Sequence, residues 1–460
     1  MAEPSLLGEL LTQAGLTPGR FAQRLNTYAA STGHRDRVHT KTPYKWTKGE
    51  IPRPPWPALC TQLLSQELGR QVTPADLGWP DNTASLPAID DLSTTWDTDG
   101  ALRALHALTD AGPVHRRSFL QMLGTSITTP AHEWLLAHPA AAATHPPETT
   151  VPLDAVDDLD QITASLRRLD DHGSGGRLLA LVQEHLRYVT TLLDTHRYTD
   201  TVERRLHATA AELLRLAGFT AFDTAQHGLA QRYFISALHA AHAAGDRALG
   251  ANILGFMSCQ AKDLGGGREA VLLAETARAG YPGASGAVRT ILALRAAEAY
   301  ANDHTASATR RLSDTRSAID DAFTALDSTT TPSSGAPSWS YWMTGSQAHA
   351  QAGYCYLTIG DHYRARHHLH RSLQPQQGSD YSRERALRDV LLATTYQQQP
   401  KPDLAQALVH GNRAIDALTG TIDSPRCVNH FARLVSGLGP YRRSRGVAEF
   451  VERARLVLAV

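Results

Sequence analysis

Three of the chain's five lysines fall within eight residues, in the stretch Thr40-Lys41-Thr42-Pro43-Tyr44-Lys45-Trp46-Thr47-Lys48-Gly49. Arginine supplies the other 40 of its 45 cations, so the cluster stands apart from the background composition. Ammonium groups interleaved with threonine hydroxyls can donate to phosphate oxygens and to base edges. A helix carrying both suits the DNA major groove. Proline is tolerated in the first turn of a helix and not beyond it. Pro43 therefore predicts a short helix beginning near Thr42, with Thr40 and Lys41 at its entrance and Gly49 at its stop. The rigid run Ile51-Pro52-Arg53-Pro54-Pro55 follows.

The surroundings predict a compact helical unit over residues 1–80 to hold this segment. Leu6, Leu7, Leu10 and Leu11 follow helical spacing. Thr17 and Pro18 give a cap and a first-turn proline for a second helix, with Phe21, Ala22 and Leu25 on its inner face. Trp56–Leu68 reads as a further helix. Residues 20–53 hold eight Lys/Arg against Asp36 and Glu50, a net of +6, whereas residues 81–171 hold fourteen Asp/Glu against five Arg, a net of −9. This asymmetry fits a small nucleic-acid-binding head joined to a body with another task. Residues 81–152 read as a linker with connecting helices, loosest at Asp81–Gly100 and His138–Pro152.

Cys60, Cys259, Cys355 and Cys427 form no C-x-x-C pair. That spacing argues against a disulfide framework or zinc site and points to a reducing cytoplasm. No run approaches the 18 apolar residues of a membrane span, so no membrane partner is expected. The segment His115-Arg116-Arg117-Ser118-Phe119-Leu120 has a twin-arginine look, but it lies too deep in the chain to serve as an N-terminal address. The phosphate-loop, nucleophile-elbow and zinc-protease signatures are missing. The four histidines His362, His367, His368 and His370 have no carboxylate or cysteine at ligand spacing. The chain thus reads as a non-enzyme without cofactor or metal.

From residue 153 to residue 460 the pattern is helical, with breaks every 15–20 residues. It contains degenerate tetratricopeptide spacing: a small residue in one helix, then Ala-x-x-x-large-x-x-small in its partner. The copies are Ala217-Gly218 with Ala230-Phe234-Ala237, Gly353-Tyr356 with Ala365-Leu369-Ser372, and Ala393-Tyr396 with Ala405-Val409. Weaker ones centre on Ala270-Ala274-Ala277 and Ala308-Leu312. Small residues let two helices approach closely while one large side chain fills the gap. The fold class expected is all-α, an N-terminal helix-turn-helix domain followed by a tetratricopeptide-like α-solenoid.

The spacing Trp46-x-x-Gly49-x-x-Pro52, with Phe21-Ala22-x-x-Leu25 before it, resembles the recognition and positioning helices of Xre-type helix-turn-helix domains over residues 5–70. The turn from Thr27 to His39 is longer than that pattern. The resemblance implies that Thr40, Lys41, Thr42 and Lys45 face base edges, and that Tyr44, Lys48, Arg53, Arg35 and Arg37 hold phosphates, with Trp46 in the core. The whole layout, with Arg116-Arg117-Ser118-Phe119-Leu120 ahead of the repeats, resembles actinobacterial regulators of development and secondary metabolism. It is also similar in architecture to Gram-positive peptide-sensing repressors. These likenesses imply a transcriptional regulator that binds double-stranded DNA, dimerises, and senses a peptide, small signalling ligand or protein in its repeat groove. In the repeat register above, the first helix of each pair lines that groove, with Glu212, Arg215, Asn252, Lys262, Tyr300, Gln347, Tyr354 and Gln397 inward. The alternative is an interaction scaffold whose basic head docks onto an acidic protein.

Overall fold

The computed structural model describes residues 6–31, 37–50, 52, 56–68, 72, 75–77, 79, 94–109, 122, 124–138, 151–171, 175–196, 198–283, 285–328, 335–374, 382–419 and 424–458. All regular structure among them is helical, and it divides into two compact units, Met1–Leu86 and Pro87–Val460. Among the described residues no helix is long and apolar enough to cross a membrane.

The first unit contains α1 (Leu6–Gln13), α2 (Pro18–Ser31), α3 (Thr42–Trp46) and α4 (Trp56–Leu68), followed by a 3-10 turn at Ala75–Leu77. Its core gathers Leu7, Leu10 and Leu11 from α1, Phe21 and Leu25 from α2, Trp46 from α3 and Leu59, Leu63 and Leu64 from α4. The Thr17 hydroxyl accepts from the Arg20 backbone N–H at 3.3 Å, which caps α2 as its Thr-Pro start predicts.

The second unit opens with α5 (Thr98–Thr109), α6 (Thr125–Leu136), α7 (Leu153–Asp171) and α8 (Gly175–Thr195). Six hairpins follow: α9 (Asp200–Asp223) with α10 (His227–Ala243), α11 (Arg247–Asp263) with α12 (Gly267–Ala279), and α13 (Gly286–Asn302) with α14 (Ala308–Asp327). Then come α15 (Gly345–Thr358) with α16 (His362–Ser372), α17 (Ser382–Gln398) with α18 (Leu404–Leu418), and α19 (Pro425–Gly437) with α20 (Arg445–Leu458). Each helix packs on its hairpin partner and on the next pair, which makes a solenoid. Helix starts are fixed locally: Thr199, Asp246, Ser285, Ser307, Thr344, Asp361, Asp403 and Ser424 each accept a hydrogen bond from a first-turn backbone N–H.

The small-residue crossings behave as their spacing predicts in the best copies. A Cβ at Gly218 would stand 2.6 Å from Phe234 Cε1, and one at Gly353 would stand 2.6 Å from Leu369 Cγ. The glycines are therefore what lets α9 meet α10, and α15 meet α16, at their plugs. Ala230, Ala270, Ala365 and Ala393 are fully buried.

Two anchors are corrected: Ala308 and Ala405 are exposed, and so is Val409. They lie in or just after the first turns of α14 and α18. Those helices bury residues further along: Thr315, Ala318, Ile319 and Ala322 in one, Ala407, Gly411, Ala414 and Leu418 in the other. The region expected as linker and connecting helices is also corrected in part. Leu105, Met122, Ile127, Ala131 and Trp134 belong to the main core of the second unit, so α5 and α6 are integral to it. Residues 81–93 of the loose stretch expected over Asp81–Gly100, residues 139–150 of the one expected over His138–Pro152, and the twin-arginine segment lie outside the described residues.

Candidate functional site

In the first unit α3 is a single turn and a half, with Pro43 in its first turn and a hydrogen-bonded turn after it that closes from Glu50 N to Lys45 O. Gly49 takes φ +96° there, a conformation that suits glycine. Pro43 and Trp46 are buried, and Trp46 meets Trp79 edge to face at 6.2 Å between ring centroids. These two anchors turn the other side of the segment outward. Arg37, Thr40, Lys41, Tyr44, Lys45 and Lys48 are exposed, and Thr42 is half-buried. Among the described residues no carboxylate pairs with Lys41, Lys45 or Lys48. Arg35 and Arg53 lie outside the described residues.

Sequence reading missed the residue that fixes this segment's approach. The Asn26 side-chain amide donates to Val38 O at 2.8 Å, and its oxygen accepts from Val38 N at 2.7 Å. The chain is thereby tied to α2 just before the lysine segment begins. An asparagine on a helix gives no local sign of such a role.

In the second unit the first helices of successive pairs surround a cavity of about 170 Å³. Its wall takes Arg167, Asp170 and Asp171 from α7, Arg215 and Phe219 from α9, and Phe256, Cys259 and Lys262 from α11. Arg295 and Glu298 come from α13, Gln347, Gln351 and Tyr354 from α15, Arg383 and Arg388 from α17, and Arg426 and His430 from α19. A 3-10 segment, Ser338–Trp342, adds Trp339, Tyr341 and Trp342. A second cavity, of about 290 Å³, shares the wall formed by Lys262, Tyr354, Arg426 and His430.

Of the eight groove residues expected, Arg215, Lys262, Gln347 and Tyr354 line this chamber. The other four do not. Glu212 pairs with Arg167 behind the wall. Asn252 is buried with neither amide atom hydrogen-bonded to protein. The Tyr300 hydroxyl donates to Glu275 Oε1 at 3.1 Å, and burial together with that carboxylate pushes its pKa up to about 12. Gln397 Nε2 donates to Gly437 O at 2.9 Å. Each of the four sits on the correct helix but on a turn or face that the neighbouring helix covers. The residues missed, Arg295, Arg383, Arg388 and Arg426, also sit on first helices.

The chamber is electrostatically uneven. Seven Lys/Arg side chains line it against four carboxylates: Arg167, Arg215, Lys262, Arg295, Arg383, Arg388 and Arg426 against Asp170, Asp171, Glu298 and Glu384. Arg295 pairs with Glu298 at 3.0 Å, and Lys262 with Asp263 at 2.8 Å. Burial opposes the Lys262 charge, but Asp263 and the other acidic groups around it outweigh burial and raise its pKa.

Asp223, at the end of α9, is the focus of a longer-range cluster. It accepts from Arg426 Nε at 3.0 Å and from the Ser424 hydroxyl at 3.1 Å, and it stands 3.5 Å from Arg383. Arg383 also stands 3.6 Å from Asp170. Burial disfavours the Arg383 charge, yet these carboxylates hold its pKa above the ordinary value.

Arg215 differs from its neighbours. It is 93 % buried, no carboxylate among the described residues lies in ion-pair reach, and its Nε has no protein hydrogen-bond acceptor. Burial pulls its pKa down, and burial followed by repulsion from Arg215 pulls that of Arg167 down to about 10. Both guanidinium groups remain charged at neutral pH. The arginines lie over aromatic faces. Arg215 and Arg295 flank the Phe256 ring at 5.3 and 5.2 Å, and Arg383 and Arg426 lie 5.4 and 6.0 Å from the Phe219 centroid.

Fold and site together define an all-helical repeat protein with a half-open, cation-rich cavity in its second unit and a helical N-terminal unit. Residues 7–80 are similar to the SP15 N-terminal domain, whose family model they match. No curated protein and no solved structure matches the chain.

Proposed function

We propose that this chain is a DNA-binding transcriptional regulator whose repeat solenoid senses a ligand. The observation that carries the reading is the outward face of the α3 segment, where Arg37, Thr40, Lys41, Tyr44, Lys45 and Lys48 stand exposed on a scaffold anchored by Pro43 and Trp46. The likeness to Xre-type domains assigns Thr40, Lys41, Thr42 and Lys45 to bases and Tyr44, Lys48 and Arg37 to phosphates. In this reading the chamber receives the signal, and two copies of the chain act on a two-fold operator, because one short helix carries little specificity.

The test is binding to genomic duplex fragments over a salt titration. Affinity falls steeply with salt if phosphates are neutralised. Lys45→Ala costs about 1–3 kcal/mol at a preferred site. Binding to genomic fragments no tighter than to random duplex, with a Lys41→Ala/Lys45→Ala variant indistinguishable from the parent, sinks the regulator reading.

The shortness of α3, five residues, favours a second reading. There the basic face docks onto an acidic protein and the chain is a scaffold. Pull-down of an acidic partner whose binding depends on Lys41 and Lys45, without any duplex preference, marks that outcome.

A further inference from the structure

The chamber of the second unit contains polar groups that the fold leaves without partners. Arg215 has a buried guanidinium with no carboxylate in ion-pair reach; Asp170 and Asp171 favour its charge from farther off but do not outweigh burial. Trp339 is 3 % exposed, and its Nε1–H has no protein acceptor. Gln351 is 7 % exposed, and its Oε1 has no protein donor. All three line one cavity, whose wall also takes the rings of Phe219, Phe256 and Trp342 among its charged side chains.

A buried charge without a counter-charge is strongly destabilising, so such groups mark a place where something else supplies the partner. Arg388 adds a second cation without a carboxylate partner. It is held in place by the Ser346 hydroxyl at 2.8 Å, Ser372 O at 3.0 Å and Gln347 Oε1 at 2.7 Å, which leaves its Nε free. The chemistry that meets these demands is an anion with two acceptor oxygens in a plane. Guanidinium groups grip a carboxylate in that way. The aromatic walls call for a flat apolar body behind it, and Gln351 Oε1 for a donor on that body.

We infer that the chamber binds a small organic acid, a carboxylate joined to a flat apolar body, with Arg215 as its counter-charge. This rests on the reading of the solenoid as a sensor and gives that sensor's ligand a chemical class.

The test is calorimetric titration of the full chain, without DNA, with 1-naphthoate and with its neutral counterpart 1-naphthamide. Quenching of tryptophan fluorescence serves as a second readout, because Trp339 and Trp342 line the chamber. The expected result is saturable naphthoate binding, with the amide at least about tenfold weaker. Arg215→Gln removes the preference for the acid over the amide. Arg388→Gln, at a half-buried position, lowers naphthoate affinity severalfold and serves if Arg215→Gln fails to fold. Equal binding of acid and amide, or no saturation by either at millimolar concentration, overturns the inference. So does binding confined to a short apolar peptide with a free C-terminal carboxylate and lost on its amidation, which would assign the chamber to a peptide tail. A chain that binds naphthoate but ignores duplex keeps this inference and sinks the regulator reading; the reverse result does the opposite.

Discussion

The amide of Asn26 makes both of its hydrogen bonds to the backbone of Val38, twelve residues later in the chain, at 2.8 and 2.7 Å. This single side chain fixes the point from which the lysine segment sets out. Asn26→Ala leaves the Val38 N–H and C=O to find other partners, at a cost of about 1–3 kcal/mol for buried groups. Thermal unfolding of the full chain is expected to show an earlier transition for the first unit. If DNA is the partner, duplex affinity falls as well, although Asn26 itself touches no DNA.

The crossing of Gly218 with Phe234 is a second place where one atom decides the outcome. Gly218→Ala puts a Cβ 2.6 Å from a ring that is itself fully buried, so the ring cannot swing away. Overpacking of this kind costs about 1–3 kcal/mol. Urea denaturation checks it: the midpoint should fall while the slope stays constant. An unchanged midpoint would show that the pair has room to part.

Removing Asp223 takes a shared carboxylate from buried Arg383, which keeps Asp170, and from part-buried Arg426. Asp223→Ala is expected to cost about 3–5 kcal/mol, the penalty for breaking a buried pair on one side. Asp223→Asn retains the acceptor oxygen for Arg426 and Ser424, so it should cost less. Equal loss for the two variants, measured by denaturant titration, would show that the charge is irrelevant and the shape alone matters.

Acid should destabilise the second unit through its buried histidines. Burial pulls His207, His349, His368 and His430 down to about 4; neighbouring positive groups add to this at His349 and His368, whose Nδ1 atoms lie 2.9 Å apart. In the unfolded chain each titrates near 6.5. Between those values the unfolded state binds the protons that the folded state refuses. Stability is therefore complete above about pH 6.5 and declines as pH falls towards 4. For fully buried His207 the loss is on the order of 2–3 kcal/mol at the acid end. His207→Gln should flatten the slope of stability against pH over this window, whatever it does to the absolute value.

Local physics made much of the fold legible. The first-turn proline at Pro43, the buried Trp46, the Thr-Pro start of α2 and the glycine crossings all act within a few residues or between neighbouring helices. The repeat helices that line the chamber were legible, because the alternation of first and second helices is a repeat property; the shares of α7 and of Ser338–Trp342 were not. Which face of each helix turns inward was only half legible. Arg215, Lys262, Gln347 and Tyr354 fall on it, while Asn252, Tyr300, Glu212 and Gln397 are taken up by neighbours. A shift of one position rotates a side chain by about a quarter turn, and degenerate repeats do not fix the register that finely. Exposed Ala308 and Ala405 are the same error at the hairpin contacts. The partners of Asp223 were illegible for another reason: 160 and 203 residues separate it from Arg383 and Arg426. No periodicity encodes that distance.

That separation bears on how the solenoid loses its structure. Stacked repeats ordinarily touch only their neighbours, so an array can fray from either end and its pieces melt by degrees. Here Asp223, on the first hairpin, is bonded to Arg383 and Arg426, on the last two. The line is closed into a loop, and its two ends report to each other. Fraying at one end must first break a buried contact at the other, so the array gains an all-or-none character that its repeats alone would not confer.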